Sequence, residues 1–366
     1  HARRISSYNM TKMLKILYFT PFYSPQSEAA ATRAYWLAKV LSEEGHDVEV
    51  LNGSSFFFPT PSNKSSFIHR LIKEVLCGIE LSVKILLKRS NLVIISSPPF
   101  FTAMLGAQTC VLSKKKFILD VRDLYPEIFF ELNLIGSSSM IGKTLRILTG
   151  ICYRKSKATI TVTDGLAKEI SNYNAKPLVI MNGYDDEIFY PQEKDSKFDR
   201  FTLVFHGNLG RVQNIDTLLK LADELIDTDI DILVAGDGPK VDQITRAGKR
   251  NIRYLGAIPY QEIPALLRKC HVGLSFRTDD KIGRDAFPVK VFEYVGCGLP
   301  VIITPRCDAG RLIEKESMGR EFANDDINHI RNYVLDLYKT KPSFTSPKLF
   351  TRRNQAKKII PLIERT

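Results

Sequence analysis

Apolar and polar positions along the chain follow two alternating periods. Short apolar runs recur at 14–20 (LKILYFT), 48–53 (VEVLNG), 92–99 (LVIISSPP), 116–126 (KFILDVRDLYP), 158–163 (ATITVT) and 176–183 (KPLVIMNG). Segments with apolar residues at helical spacing lie between them, at 31–47, stopping at Gly45, and at 67–90. Strand-like runs alternating with helical ones predict a parallel sheet covered by helices on both faces. The pattern breaks at 190–200 (YPQEKDSKFDR), a polar, non-periodic stretch holding Pro191, which predicts a linker. It then restarts, with strands at 201–208, 230–239, 252–258, 271–276 and 300–305 and helices at 215–227 and 263–270. The basic tail, 350–366, reads as helical. Two α/β halves in tandem predict a ligand cleft between them, at the C-terminal ends of the strands.

Length agrees, since 366 residues suit two domains. The composition, 44% hydrophobic and 25% charged, is that of a globular protein. No run of 18 apolar residues predicts a spanning helix. No secretory pattern is evident, so a cytoplasmic protein is expected; the first twelve residues, beginning at His1, are left out of fold reasoning. Six scattered cysteines without a C-x-x-C pair read as buried free thiols of a reducing compartment.

The net charge of +12 points to an anionic partner. The excess is local: residues 64–116 hold nine basic side chains against two acidic ones. Aromatic residues are not interleaved with them, so nucleic acid is not expected; anionic lipid or a phosphorylated substrate is. On the 67–90 helix, Arg70, Lys73, Glu80, Lys84 and Lys88 fall along one stripe with Leu71, Val75, Ile79, Leu86 and Leu87 as apolar flanks. A basic amphipathic helix lies on anionic membranes, and the same pattern also suits an ordinary sheet-flanking helix with a solvated face.

Five segments stand in order: GHDVEVLNG, SPPF…FILDVRDLYPE, VIMNGYDDEIFYP, HGNLGRVQNIDTLL…LVAGDGP and FPVKVFEYVGCGLPVI. Together they resemble the large retaining glycosyltransferase family 4 (glycosyl transferases group 1), closest to the branch that builds O-antigens, capsules and exopolysaccharides. The resemblance implies a GT-B fold, with two Rossmann-like α/β domains facing a central cleft, at 13–190 (acceptor) and 198–348 (donor). It also implies that the tail, 349–366, crosses back to the first domain.

In DAFPVKVFEYVGCGLP (285–300), Pro288 suits a first helical position, Val289 follows, and the helix start offers unpaired N–H groups to a diphosphate. Lys290 opposes the helix dipole there, which a bound anion would explain. By the resemblance, Glu293 holds the ribose hydroxyls, and Asp285 takes the place of a sugar-contacting glutamate with one methylene fewer. The loop FHGNLGRVQN presents Gly207 and Gly210 for close phosphate approach. Asn208 and Gln213 replace the family's cationic clamps, so Arg211 joins Lys290 in that role. Ala257 and Ile258 are expected to hold the base through backbone groups.

In the first half, Arg33 and Ser27 follow the first strand, where the family often has paired glycines, and read as acceptor-side residues. ILDVRDLYPE places Asp120, Arg122 and Asp123 at a strand end, with Arg122 where other branches carry histidine. Arginine holds its proton at neutral pH, so Asp123, then Asp120, is the expected base, and Arg122 an acceptor contact. Neither a metal nor a cofactor is expected.

The reaction so implied moves a sugar from a nucleotide-diphosphate sugar, UDP before GDP, to a polyprenyl-diphosphate-linked saccharide at the inner membrane face. A GT-B sugar-nucleotide epimerase and a catalytically silent binding subunit stay open as alternatives. An NAD oxidoreductase fits less well, because no G-x-G-x-x-G opens either half.

Overall fold

A computed structural model describes residues 13–24, 29–58, 67–191, 197–280, 283–284, 287–342 and 344–364. Ser27 and Asp285, and residues 192–196 of the expected linker, lie outside the described residues. The chain forms two compact units. One comprises the chain to Val162, Leu166–Ile180 and the tail from Ala356; the other comprises Thr163–Gly165 and Met181–Gln355.

The first unit holds β1 (Lys15–Phe19), β2 (Asp47–Leu51), β3 (Leu92–Ser97), β4 (Phe117–Val121), β5 (Ala158–Thr161) and β6 (Leu178–Val179). They form one sheet in the order β2-β1-β3-β4-β5-β6, with every pair parallel. β3 and β4 are buried at every position, as expected of strands covered on both faces. The connecting helices include α1 (Ala29–Glu43), α2 (Phe67–Leu87) and α3 (Phe100–Leu112). The tail packs here, with Ala356, Ile359 and Ile363 in one apolar cluster with Leu14, Ile16, Trp36 and Leu37. It is two short helices, Arg352–Lys357 and Ile360–Glu364, rather than the single one expected. Pro361 accounts for the break, because its ring has no N–H to continue the earlier helix.

α2 departs from its expected character. Two of its cations and the lysine just after it are paired: Arg70 lies 3.7 Å from Glu74, Lys84 3.2 Å from Glu80 and Lys88 2.6 Å from Glu49. Cys77, Leu81 and Ile85 are buried on one side, while Ile68, Ile72, Ile79, Val83, Leu86 and Leu87 are exposed on the other.

The second unit repeats the design with β7 (Phe201–His206), β8 (Ile230–Ala235), β9 (Ile252–Tyr254), β10 (Val272–Phe276), β11 (Val301–Thr304) and β12 (Gly319–Glu321). The order is β12-β11-β10-β7-β8-β9, again all parallel. The chain runs from β7 outwards through β8 to β9 and then crosses back to β10 on the other side of β7, so β7 and β10 flank the switch point where ligands bind in such sheets. The helix Val289–Gly296 lies close over β10 because residue 273 is glycine; a Cβ there would meet the Tyr294 ring at 2.3 Å. All six cysteines are free and buried.

Candidate active site

The second unit gathers its chemistry where β7, β8 and β10 end. β7 ends in His206, and Gly207 follows with φ +110°. Gly236, after β8, has φ +143°, and a Cβ there would stand 1.9 Å from the Gly207 carbonyl oxygen. Only glycine permits both that backbone angle and that approach. The two loops are thereby held together, with Gly207 bonded through its N–H to the Ala235 carbonyl.

The helix Val289–Gly296 begins one residue later than the sequence suggests, with Pro288 as its N-cap at φ −67° and ψ 126°. Lys290 is therefore in the first turn, and it is buried. Its Nζ donates to Gln213 Oε1 at 3.1 Å and stands 4.1 Å from the Phe205 ring centroid. Its Cε lies 3.7 Å from where a Cβ on Gly207 would be, so the ammonium lies against the glycine loop. Burial, and then the charge of Arg277, push this ammonium down to about 7, with Glu293 opposing. Arg277, the residue just after β10, is itself buried and pairs with Gln213 in an isolated β-bridge.

Glu293, one turn on, is also buried. Its Oε1 accepts from the Tyr260 hydroxyl at 3.2 Å, and Arg352 Nη2 donates to that hydroxyl oxygen at 3.3 Å. Burial pushes the Glu293 carboxyl up, while Arg352, Tyr260 and Lys290 oppose the rise. His206 Nε2 lies 3.3 Å from Glu293 Oε2 without hydrogen-bond geometry. Burial, and then Lys290, push its imidazole down to about 3, so near neutral pH this is a contact with a neutral ring and not an ion pair.

The remaining donor-side candidates are placed around this cluster with different exposure. Asn208, Arg211 and Ala257 are exposed; Gly210, Ile258, Pro288 and Val289 are half-buried. Gln213, which the sequence presents only as a lost cation, is the buried acceptor that holds Lys290. Arg277 and Tyr260 were not anticipated. Position alone signals Arg277, since it directly follows an apolar strand in a parallel sheet.

In the first unit, Arg33 and Asp120 come together. Arg33 Nε lies 3.1 Å from both Asp120 oxygens and Nη2 2.8 Å from Oδ1, while Nη1 donates to the Ile180 carbonyl. Both side chains are buried, and Ser96 Oγ also donates to Asp120 Oδ2 at 3.3 Å. A buried bidentate pair of this kind ties α1 to β4. The expected picture of Arg33 facing an acceptor and Asp120 as a reserve base is replaced by this pair, because each charge already satisfies the other. Arg122 donates from Nη2 to the Pro98 carbonyl at 3.1 Å. Asp123 is exposed. Crowding by neighbouring protein pushes its carboxyl up, with Arg122 opposing, and solvent access limits that rise.

Among the described residues no group of His, Cys, Asp and Glu is arranged to hold a metal ion.

Residues 200–340 match the family model of glycosyl transferases group 1. Over 284 residues the chain is 22% identical to the "Probable glycosyltransferase WbjE" of Pseudomonas aeruginosa, covering 72% of this chain and 70% of that protein. A glycosyltransferase structure from Rickettsia africae is similar at a TM-score of 0.70 and 14% identity, covering 97% of this chain and 98% of the other. The structure of Anabaena Alr3699/HepE in complex with UDP and glucose is similar at 0.61 and 16%, covering 96% and 98%. Two parallel six-stranded Rossmann-like sheets give the chain the GT-B fold, and the unit that holds Lys290 and Glu293 is the part similar to the group 1 glycosyl transferases.

Proposed function

We propose that this glycosyltransferase takes its sugar from a nucleotide-diphosphate sugar, UDP-linked, and transfers it with retention of anomeric configuration. The acceptor is a lipid-linked saccharide of cell-surface polysaccharide synthesis, met by a peripheral protein at the inner membrane face. One observation carries the donor side. Lys290 and Arg277 are both buried, they repel one another, and the hydrogen-bond partner of Lys290 is the neutral amide of Gln213. Glu293 attracts Lys290 and Asp280 attracts Arg277, and a diphosphate at the glycine loop would add an anion between the two buried cations. The UDP bound to the Anabaena relative supports the choice of nucleotide.

Lys290, Arg277 and the first turn of Val289–Gly296 would then stabilise the departing diphosphate, which is the main electrostatic task in such a transfer. Glu293 would take the ribose hydroxyls, its carboxylate oriented by Tyr260. Arg211 at the loop surface is a second phosphate contact, and Ala257 and Ile258 meet the base; the role of donor-sugar contact falls to Asp285 by its place in the segment 285–300 alone. On the acceptor side the exposed carboxylate of Asp123 receives the hydroxyl proton as the acceptor attacks from the leaving-group face. Neither a metal nor a cofactor enters this scheme.

The test is a panel of nucleotide-sugars scored by thermal stabilisation, followed by transfer assays with the sugar that binds. Wild type should be stabilised by a nucleotide-diphosphate sugar. Lys290→Ala and Glu293→Ala should lose both stabilisation and transfer while remaining folded by circular dichroism. Unchanged transfer in both variants refutes the site.

A further inference from the structure

α2 is apolar on two opposite sides, and α3 covers only one of them. At about 100° per residue, Ile68, Ile72, Ile79, Val83, Leu86 and Leu87 fall within an arc of about 100°. That stripe faces solvent over the length of a 21-residue helix, on the order of 30 Å. Ile68 is 68% exposed and Leu87 78%, so these are not side chains at the edge of a core. Two further rings extend the surface. The Phe57 and Phe58 N–H groups both donate to the Glu80 carboxylate of α2, and Phe57 is 84% exposed. Continuous apolar patches of this kind mark an interaction site.

The charge at one end of the stripe indicates what covers it. A cavity of about 430 Å³ opens beside the C-terminus of α2, lined by Lys15, Lys88, Arg89 and Lys115, with Leu86 and Leu87 as its apolar side. Among the described residues no acidic one lines it. Glu49 reaches Lys88, and Lys115 is fixed by the carbonyls of Ile85 and Lys88. Cations gathered against an apolar helix end match the two layers of an anionic bilayer, phosphate above and acyl chain below.

We propose that α2 inserts its solvent-facing stripe, flanked by Phe57 and Phe58, into the surface of a membrane, and that the Lys15–Lys88–Arg89–Lys115 cavity takes the phosphate of an anionic phospholipid. The insertion is apolar first; the cavity supplies the preference for negative lipid. No helix among the described residues is long and apolar enough to cross a membrane, so the helix lies in the interface. This deepens the proposed membrane location and is independent of the transfer chemistry.

The experiment is vesicle flotation of the whole chain without donor or acceptor. The vesicles are phosphatidylglycerol/phosphatidylethanolamine or phosphatidylcholine alone. Wild type should float with the first and more weakly with the second. Ile72→Ser/Ile79→Ser/Val83→Ser should bind roughly tenfold or more weakly to both. Lys15→Gln/Arg89→Gln should bind both vesicles alike, at the phosphatidylcholine level. All five positions are exposed, so both variants should keep wild-type melting and donor binding. The inference is overturned if wild type stays unbound on anionic vesicles, or if the triple variant floats like wild type. It is equally overturned if the stripe instead holds two copies together, seen as a wild-type dimer that the triple variant turns into monomers. Donor binding is read separately, so a failure here leaves the transferase reading standing, and the reverse.

Discussion

Replacing Lys290 with methionine keeps the length of the side chain and removes its charge, and it should make the ligand-free protein more stable while destroying its donor site. The ammonium is held down from 10.5 to about 7 by burial and by Arg277. That difference corresponds to roughly 5 kcal/mol of unfavourable burial. In the unfolded chain the lysine keeps its proton up to about 10.5, whereas in the folded protein it loses it above about 7. The penalty is therefore fully present below pH 7, declines as pH rises from about 7 to 10.5, and is absent above that. Urea unfolding at pH 6 and at pH 9 reads this directly. The stability advantage of Lys290→Met over wild type should shrink by roughly 3 kcal/mol between the two. Comparing the same pair of proteins at two pH values cancels the packing change against Phe205 and Gln213. The same variant should show no thermal stabilisation by a nucleotide-diphosphate sugar. An advantage that does not vary with pH would refute the costly burial of this ammonium, and retained donor binding would refute its role.

Donor binding to wild type at pH 8 should take up protons, because a diphosphate beside Lys290 restores its charge; calorimetry in two buffers of different ionisation enthalpy measures this. Arg33→Met or Asp120→Asn alone should each cost about 3–5 kcal/mol in urea unfolding, since each leaves one buried charge, and the double variant should recover part of that loss. Gly236→Ala should abolish donor binding and destabilise the protein by several kcal/mol by the same assay, because φ +143° and a 1.9 Å approach to the Gly207 oxygen both oppose a Cβ. Tyr260→Phe should weaken donor binding, read as the midpoint of a thermal-shift titration, with little change in the maximum transfer rate.

Much of the architecture was written in the local pattern. Runs such as LVIISS and FTLVFH are apolar at successive positions, which only a strand covered on both faces requires, and both became fully buried parallel strands. α3, in contrast, carries no charge in FFTAMLGAQTCVL and therefore has no amphipathic period to read; it went unnamed until the fold showed it packed on α2. The site was legible where one short segment holds it, as with Lys290 and Glu293 on one helix. It was not legible where residues far apart in sequence meet.

The sequence by itself determined the two parallel sheets, the glycine turns after β7 and β8, and a basic residue in the first turn of the donor-side helix. Those features depend on neighbours a few positions away, and the pattern records them. Tertiary structure decided what each charge does. It joined Arg33 to Asp120 across 87 residues and set Arg277 beside Lys290 over Gln213. It also paired Arg70 and Lys84 of α2, and Lys88 just after it, while leaving that helix's second apolar face in water. Burial and pairing are properties of contacts between distant segments, and no periodicity in the chain encodes them.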